Sequence, residues 1–231
     1  MAEPKCKICK DQGIELIGDA ARPCKCMKQR RTERLFKTSK ITPAFCSKTF
    51  RNFILDGRPD PVKDMFLCAR KYTQNFKTLG ENNWLVLLGE PGCGKTHLSM
   101  ATANNLLSRG VEILYFQHVE GMSEIKNAIR KVSGNGKENT LEEQLSSIKK
   151  VDVLVWDDLY KGRSQPTDFV LEITFEVLNY RYLNLLPTII TSEMTPEALL
   201  DIDKAIARRI FERGKGHMEI IEGIEVNYSL E

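Results

Sequence analysis

The stretch Trp84-Leu-Val-Leu-Leu-Gly89-Glu-Pro-Gly-Cys-Gly94-Lys95-Thr96-His97-Leu98 decides how the rest of the chain is read. Residues 89–96 match the G-x-x-x-x-G-K-[ST] pattern, and the pattern sits between an apolar run and a helix-forming segment. Its glycines let successive backbone N–H groups curl around phosphate oxygens, and a helix starting near Lys95 aims its positive end at the same point. Gly89, Glu90, Pro91, Gly92, Cys93, Gly94, Lys95, Thr96 and His97 are therefore the candidate nucleotide-binding residues. Lys95 is expected to reach the β and γ phosphates of ATP, and the Thr96 hydroxyl to ligate Mg²⁺.

A phosphate loop requires an acid on a neighbouring strand. Val151-Asp-Val-Leu-Val-Trp156 is a buried-strand pattern that ends in Asp157-Asp158. Asp157 is expected to hold Mg²⁺ through water, and Asp158 to orient or deprotonate the attacking water. Around these two motifs, short apolar runs alternate with longer helical stretches. Strands are expected at 84–88, 111–116, 151–156 and 187–191, with helices at 62–76, 95–108, 120–132 and 168–183. Thr195-Pro196-Glu197 reads as a capped helix start. His217–Ile221 and Ile224–Tyr228, joined by Glu222-Gly223, read as a hairpin. The alternation implies an α/β fold with a mainly parallel sheet covered on both faces.

The first forty residues differ from the rest. The chain has 231 residues, with 34 Lys/Arg against 31 Asp/Glu, a formal charge of +3. Residues 1–40 hold 11 of the basic and 5 of the acidic residues, a local +6, leaving −3 on the remainder. The total is too small to argue for a nucleic-acid partner. Residues 1–27 carry few apolar side chains, whereas 28–37 read as a short basic helix. Four of the seven cysteines fall here: Cys6-x₂-Cys9 and Cys24-x-Cys26, fourteen residues apart. Four thiolates make a closed structural Zn²⁺ site, and the metal would stabilise a segment too poor in apolar residues to fold on burial. An iron–sulfur cluster uses the same ligand count. With zinc bound, the local charge becomes about +4. Cys46 and Cys68 fit core or helix positions, and Cys93 lies in the phosphate loop. No run reaches the eighteen or so apolar residues of a membrane span, and the N-terminus has no apolar signal core, so a cytoplasmic chain with no membrane association is expected. Three segments follow: 1–40, zinc-binding and basic; 41–80, a linker and an amphipathic helix packed on the core; 81–231, the nucleotide-binding core.

The extension Gly94-Lys95-Thr96-His97-Leu98, the run Asp157-Asp158-Leu159, Leu186-Pro-Thr-Ile-Ile-Thr-Ser192 and Ala207-Arg-Arg-Ile210 resemble the AAA+ helicase loaders of the DnaC/DnaI type, in a phage or prophage style, and the related IstB-like transposition ATPases. The resemblance extends to Ile41-Thr-Pro-Ala-Phe45, Thr49-Phe-Arg-Asn-Phe53 and the N-terminal cysteines, and so covers essentially the whole chain. It implies a RecA-like AAA+ core, ATP sites shared between subunits of a ring or spiral, DNA-stimulated hydrolysis, and an arginine finger that joins Lys95 and Asp158 in the catalytic set. The short run after the hairpin leaves no room for a helical lid, and the short Asp158 side chain leads one to expect slow hydrolysis. Arg209 best matches the finger, with Arg208 and then Arg213 as alternatives. It also implies docking of the cysteine module on a hexameric replicative helicase and a grip on single-stranded DNA. Cations near the core suit that grip: Lys126, Arg130, Lys131, Lys161 and Arg163, with Tyr115, Phe116 and Tyr160 as nearby aromatics. Two departures stand out. Asp158 occupies a position where many AAA+ proteins have Glu, and Glu193 falls where the family's polar sensor is usually Asn, with Ser192 as a substitute donor. The alternative function is a transposition helper that binds duplex DNA and recruits a transposase. A small-molecule phosphotransferase is a third class, for which no acceptor pocket is evident in the sequence.

Overall fold

The computed structural model describes residues 4–17, 20–132, 139–162 and 165–223. In chain order the elements are β1 (Ile14–Ile17), β2 (Ala20–Pro23), α1 (Cys26–Thr38), α2 (Pro43–Cys46), α3 (Asp60–Asn75), β3 (Leu85–Gly89), α4 (Lys95–Ser108), β4 (Ile113–Gln117), α5 (His118–Val132), α6 (Asn139–Lys150), β5 (Val153–Asp157), α7 (Asp168–Leu183), β6 (Thr188–Ser192), α8 (Pro196–Ile202), α9 (Lys204–Gly214) and β7 (Met218–Ile221). A 3₁₀ turn, Phe76–Thr78, follows α3. The expected core elements are present with ends shifted by one or two residues, and α4 and α7 keep the expected bounds.

Strands β3 to β7 form one parallel sheet in the order β4-β5-β6-β3-β7, while β1 and β2 form a separate antiparallel pair. Because side chains alternate across a strand, each strand contributes to both faces. Leu85 and Leu87 of β3, with Val153, Val155 and Ile189, pack under α3 and α4. Trp84, Val86 and Leu88, with Leu154, Trp156 and Ile190, pack on the opposite side with Val177 and Leu178 of α7 and Ile206 and Ile210 of α9. All five residues of β3, β5 and β6 are buried, which is why these runs read as continuous apolar stretches rather than alternating ones.

Helix ends follow local chemistry. Thr195 Oγ1 accepts from the Ala198 amide at 3.2 Å, and Asp203 accepts from the Ala205 and Ile206 amides at the start of α9. The last strand closes the sheet beside the phosphate loop: β7 pairs parallel with β3, Val86 opposite Met218 and Gly89 opposite Ile221. The second hairpin strand, 224–228, lies outside the described residues. Within the N-terminal region, β1 and β2 are elements that apolar patterning did not indicate. Helix α1 ties this region to the core: Leu35 and Phe36 pack on the core, and Arg31 donates to the Gly110 carbonyl at 3.3 Å. The chain then meets the exposed side of β4, where the Tyr115 amide donates to the Ser39 carbonyl at 2.7 Å.

Candidate nucleotide site and cysteine cluster

The phosphate loop sits at the carboxyl end of β3, the strand flanked by β6 on one side and β7 on the other. This is where a doubly wound sheet leaves a crevice for ligands. Gly89 has φ +124°, and a Cβ there would lie 1.8 Å from the Ile221 carbonyl oxygen, so β7 admits only glycine at this turn. Gly94 has φ +100°, and a Cβ would press on the Phe53 ring at 2.7 Å. The 47–53 segment is thus a wall of the loop. His97 belongs to it as well: its Nε2 lies 3.0 Å from the Thr49 carbonyl, and its ring meets Phe53 edge-on at 5.1 Å.

Lys95 is buried at 5% exposure, and its ammonium donates to the Gly89 and Glu90 carbonyls at 2.6 and 2.7 Å. Cys93 is also buried, with its sulfur 3.8 Å from the same ammonium. Glu90, Pro91 and Gly92 form the exposed rim.

Asp157, at the end of β5, is 2% exposed and is surrounded by hydroxyl donors from three elements. Thr191 donates to it at 2.6 Å, Tyr115 at 3.0 Å and Thr96 at 3.2 Å. Burial raises its pKa, the adjacent Asp158 raises it further, and the hydroxyls oppose both. It makes no ion pair among the described residues. A buried carboxylate with no cationic partner, beside a threonine hydroxyl and a phosphate loop, is a donor set that fits Mg²⁺. Asp158 sits beyond the strand end with φ +56°, its amide donating to Thr191 Oγ1 at 2.8 Å. Its carboxylate pairs with Lys161 at 3.0 Å, and Lys161 also pairs with Glu193 at 2.9 Å. Glu193, expected at the sensor position, is therefore engaged by a cation. Ser192 is buried, and its hydroxyl donates to the Leu159 carbonyl at 2.7 Å. Thr191 and Lys161 complete the acid pair, and reading along the sequence assigned neither to it. The only available signal was their position near the ends of β6 and β5.

The arginines of α9 differ in setting. Arg209 is half-buried: Nε donates to Asn179 Oδ1 at 3.0 Å, Nη1 donates to the Ala205 carbonyl, and the guanidinium lies over the Phe175 and Tyr182 rings. Arg213 is buried, donating to the Glu81 and Tyr182 carbonyls. Arg208 is exposed and has no polar partner among the described residues. The aromatics considered for stacking are buried instead. Tyr115 is held on Asp157, Phe116 meets Trp156 edge-on, and Tyr160 is 2% exposed. Arg163 and the side chains of Arg130 and Lys131 lie outside the described residues.

The sulfurs of Cys6, Cys9, Cys24 and Cys26 all lie within 4.8 Å of one another, with Cys6–Cys24 at 3.8 Å and Cys9–Cys26 at 3.4 Å. Four sulfurs bonded at about 2.3 Å to one tetrahedral zinc stand about 3.8 Å apart. Backbone amides of Cys9 and Ile8 hold the Cys6 thiol down to about 7, and the Gly13 amide donates to Cys9 Sγ at 3.3 Å. Burial and the other three sulfurs push Cys26 up to about 12, because thiolates this close repel without a cation between them. The set fits Zn²⁺. Cys68 is buried in α3, and Cys46 is exposed at the end of α2.

A glycine loop and buried lysine at the head of a parallel sheet, facing a strand-end acid pair, define a RecA-like AAA+ protein of the P-loop class. The chain belongs to the IstB-like ATP binding protein family, whose model matches residues 22–228, and this is an ATP-binding AAA+ family that includes the helicase-loader type. It is 39% identical over 238 residues to the phage-like element PBSX protein XkdC of Bacillus subtilis, covering 98% of this chain and 86% of that one. It is 28% identical to the replicative helicase loader DnaC of Escherichia coli, covering 88% of this chain and 76% of the loader. The solved structure of DnaI superposes with a TM-score of 0.58 at 26% identity, over 79% of this chain and 94% of that one. No helix among the described residues is long and apolar enough to cross a membrane.

Proposed function

We propose that the chain is a cytoplasmic, ATP-dependent loader that binds a hexameric replicative helicase and helps place it on single-stranded DNA, with hydrolysis driving release. The observation that carries this reading is the joining, through α1, of a complete loop-and-acid site to a four-thiol module with a basic surround. The kinship with DnaC and XkdC supports it.

In this reading the backbone amides of residues 92–96 and the Lys95 ammonium hold the phosphates of ATP, and Thr96 and Asp157 hold Mg²⁺. Bound Mg²⁺ offsets the charge that develops on the phosphates. His97 acts indirectly, fastening Thr49–Phe53 against the loop. Asp158 orients the attacking water. Arg209, or Arg208 beside it, reaches the site of a neighbouring subunit in a ring or spiral, and loss of such a finger costs about a thousandfold in rate. Zn²⁺ at Cys6, Cys9, Cys24 and Cys26 is structural, and the segment 1–40 docks on the helicase while 41–80 joins it to the ATPase core 81–231. The second reading, a transposition helper that binds duplex DNA, is favoured by the family match itself.

Copurification separates the two. The full chain with ATP is expected to retain the replicative helicase of its host, and the Cys6→Ser/Cys26→Ser variant to lose it. Retention of a transposase without helicase would overturn the loader reading. Within the same preparation, Asp158→Asn should keep ATP affinity while turnover falls about a hundredfold.

A further inference from the structure

Lys161 stands between two features that the nucleotide site alone does not connect. On one side its ammonium lies 3.0 Å from Asp158 Oδ2 and 2.9 Å from Glu193 Oε1. An ammonium carries three donors, so this pairing leaves one uncommitted. On the other side Lys161 lines a cavity of about 310 Å³ with His118, Ser123, Lys126, Thr167 and Phe169. Lys126 enters from α5, its ammonium 5.5 Å from the Phe169 ring centroid. The Thr167 hydroxyl is buried with no hydrogen-bond partner among the described residues. Two cations from separate elements, a ring wall and an unspent hydroxyl are the groups that take a nucleic-acid backbone and one base, and the cavity is too small for a duplex.

The turn between the two features is held in an uncommon conformation. Asp158 has φ +56°, Tyr160 +62° and Gly162 +89°, and the Lys161 amide donates back to the Asp158 carbonyl at 3.0 Å. Asp158 and Lys161 are thus presented side by side, and the side chain of Lys161 is 42% exposed toward solvent. While the ammonium sits on Asp158, it occupies one carboxylate oxygen and offsets the charge with which that group would orient water.

We infer that Lys161 is a positioning residue coupling the acid pair to a phosphodiester site in this cavity, so that a single strand seated there draws the ammonium away from Asp158. This rests on the loader reading for the identity of the strand. It supplies a route by which DNA stimulates turnover. Because coupling is reciprocal, whatever loosens Lys161 from Asp158 must also tighten the strand.

The test needs no nucleotide. Binding of a fluorescent oligothymidylate to the full chain is measured by anisotropy in a double-mutant cycle. Asp158→Asn is expected to tighten binding by up to about fivefold, the worth of a half-exposed pair, and to do so much less in the Lys161→Met background. Lys161→Arg should restore the difference. Equal tightening in both backgrounds overturns the coupling, since it reports only the loss of a negative charge. Displacement of the strand by inorganic phosphate at the same phosphate concentration overturns the strand as occupant. In steady-state ATPase assays, Lys161→Met should raise strand-free kcat with little change in KM and flatten stimulation by the oligonucleotide. A fall in kcat toward the Asp158→Asn level overturns the inference. A wild-type chain with the expected binding cycle and no turnover overturns the hydrolysis reading and leaves the reciprocal linkage standing.

Discussion

Thr191 carries two bonds that define the acid pair: its hydroxyl donates to Asp157 Oδ1 and accepts from the Asp158 amide. Thr191→Val keeps the shape and removes both. The expected result is a loss of about tenfold in kcat, from one or two hydrogen bonds of about 1 kcal/mol each, with a smaller change in KM for ATP. Steady-state turnover over an ATP titration checks it. His118 shows how a buried side chain sets a pH limit. It is 5% exposed, its Nδ1 accepts from Trp156 Nε1 at 3.1 Å, and burial lowers its pKa to about 4. The unfolded chain binds this proton below about pH 6.5 and the native chain only below about 4, so stability falls as the pH drops through that window. The contribution reaches about 3 kcal/mol at its limit. Asn offers an acceptor in place of Nδ1 and does not titrate there. Urea midpoints of the wild type should therefore decline more steeply from pH 6.5 to 4 than those of His118→Asn.

Among the elements, α7 has a role that its sequence does not announce. Its Arg181 is fully buried and donates to the carbonyls of Ile148, Lys149, Val151, Asp152 and Pro187 and to Thr188 Oγ1. These carbonyls belong to the end of α6 and the entries to β5 and β6. The last carbonyls of a helix lack intrahelical partners and carry partial negative charge, so a guanidinium can be buried there without a carboxylate. Desolvation pulls its pKa down, to about 9, against the opposing effect of Tyr72, Asp152 and Tyr180, so it remains charged at neutral pH. Arg181→Met leaves several buried acceptors unpaired and should cost about 3 kcal/mol in chemical denaturation. Lys, with three donors on one nitrogen in place of a planar fork, should recover only part of it. The same logic of approach between elements governs Gly89, where β7 comes so close that no side chain fits.

At the scale of the molecule, a four-cysteine module with the geometry of a metal site is attached to a core built on two apolar clusters. Purified protein should carry one zinc per chain by elemental analysis, and its absence would defeat the four-thiol reading. Chelation should unfold the 6–26 region, seen as loss of its amide protection, while the main unfolding transition of the sheet moves little, because the two hydrophobic clusters contain none of these cysteines. The phosphate loop, the strand-end acids, the cysteine spacing and the core elements are all legible along the chain. The cysteines show as two close pairs, and the rest is set by residues within a few positions of one another: glycines for the turn, two-residue or 3.6-residue periodicity for strands and helices, caps at helix starts. It is the assembled fold that makes Tyr115, Thr191 and Thr96 converge on Asp157, joins Asp158 to Glu193 through Lys161, runs β7 parallel beside Gly89, and lets Arg181 gather carbonyls from three segments. These contacts depend on strand order and register across the sheet, and local periodicity is the same for any order in which the strands could have been laid down.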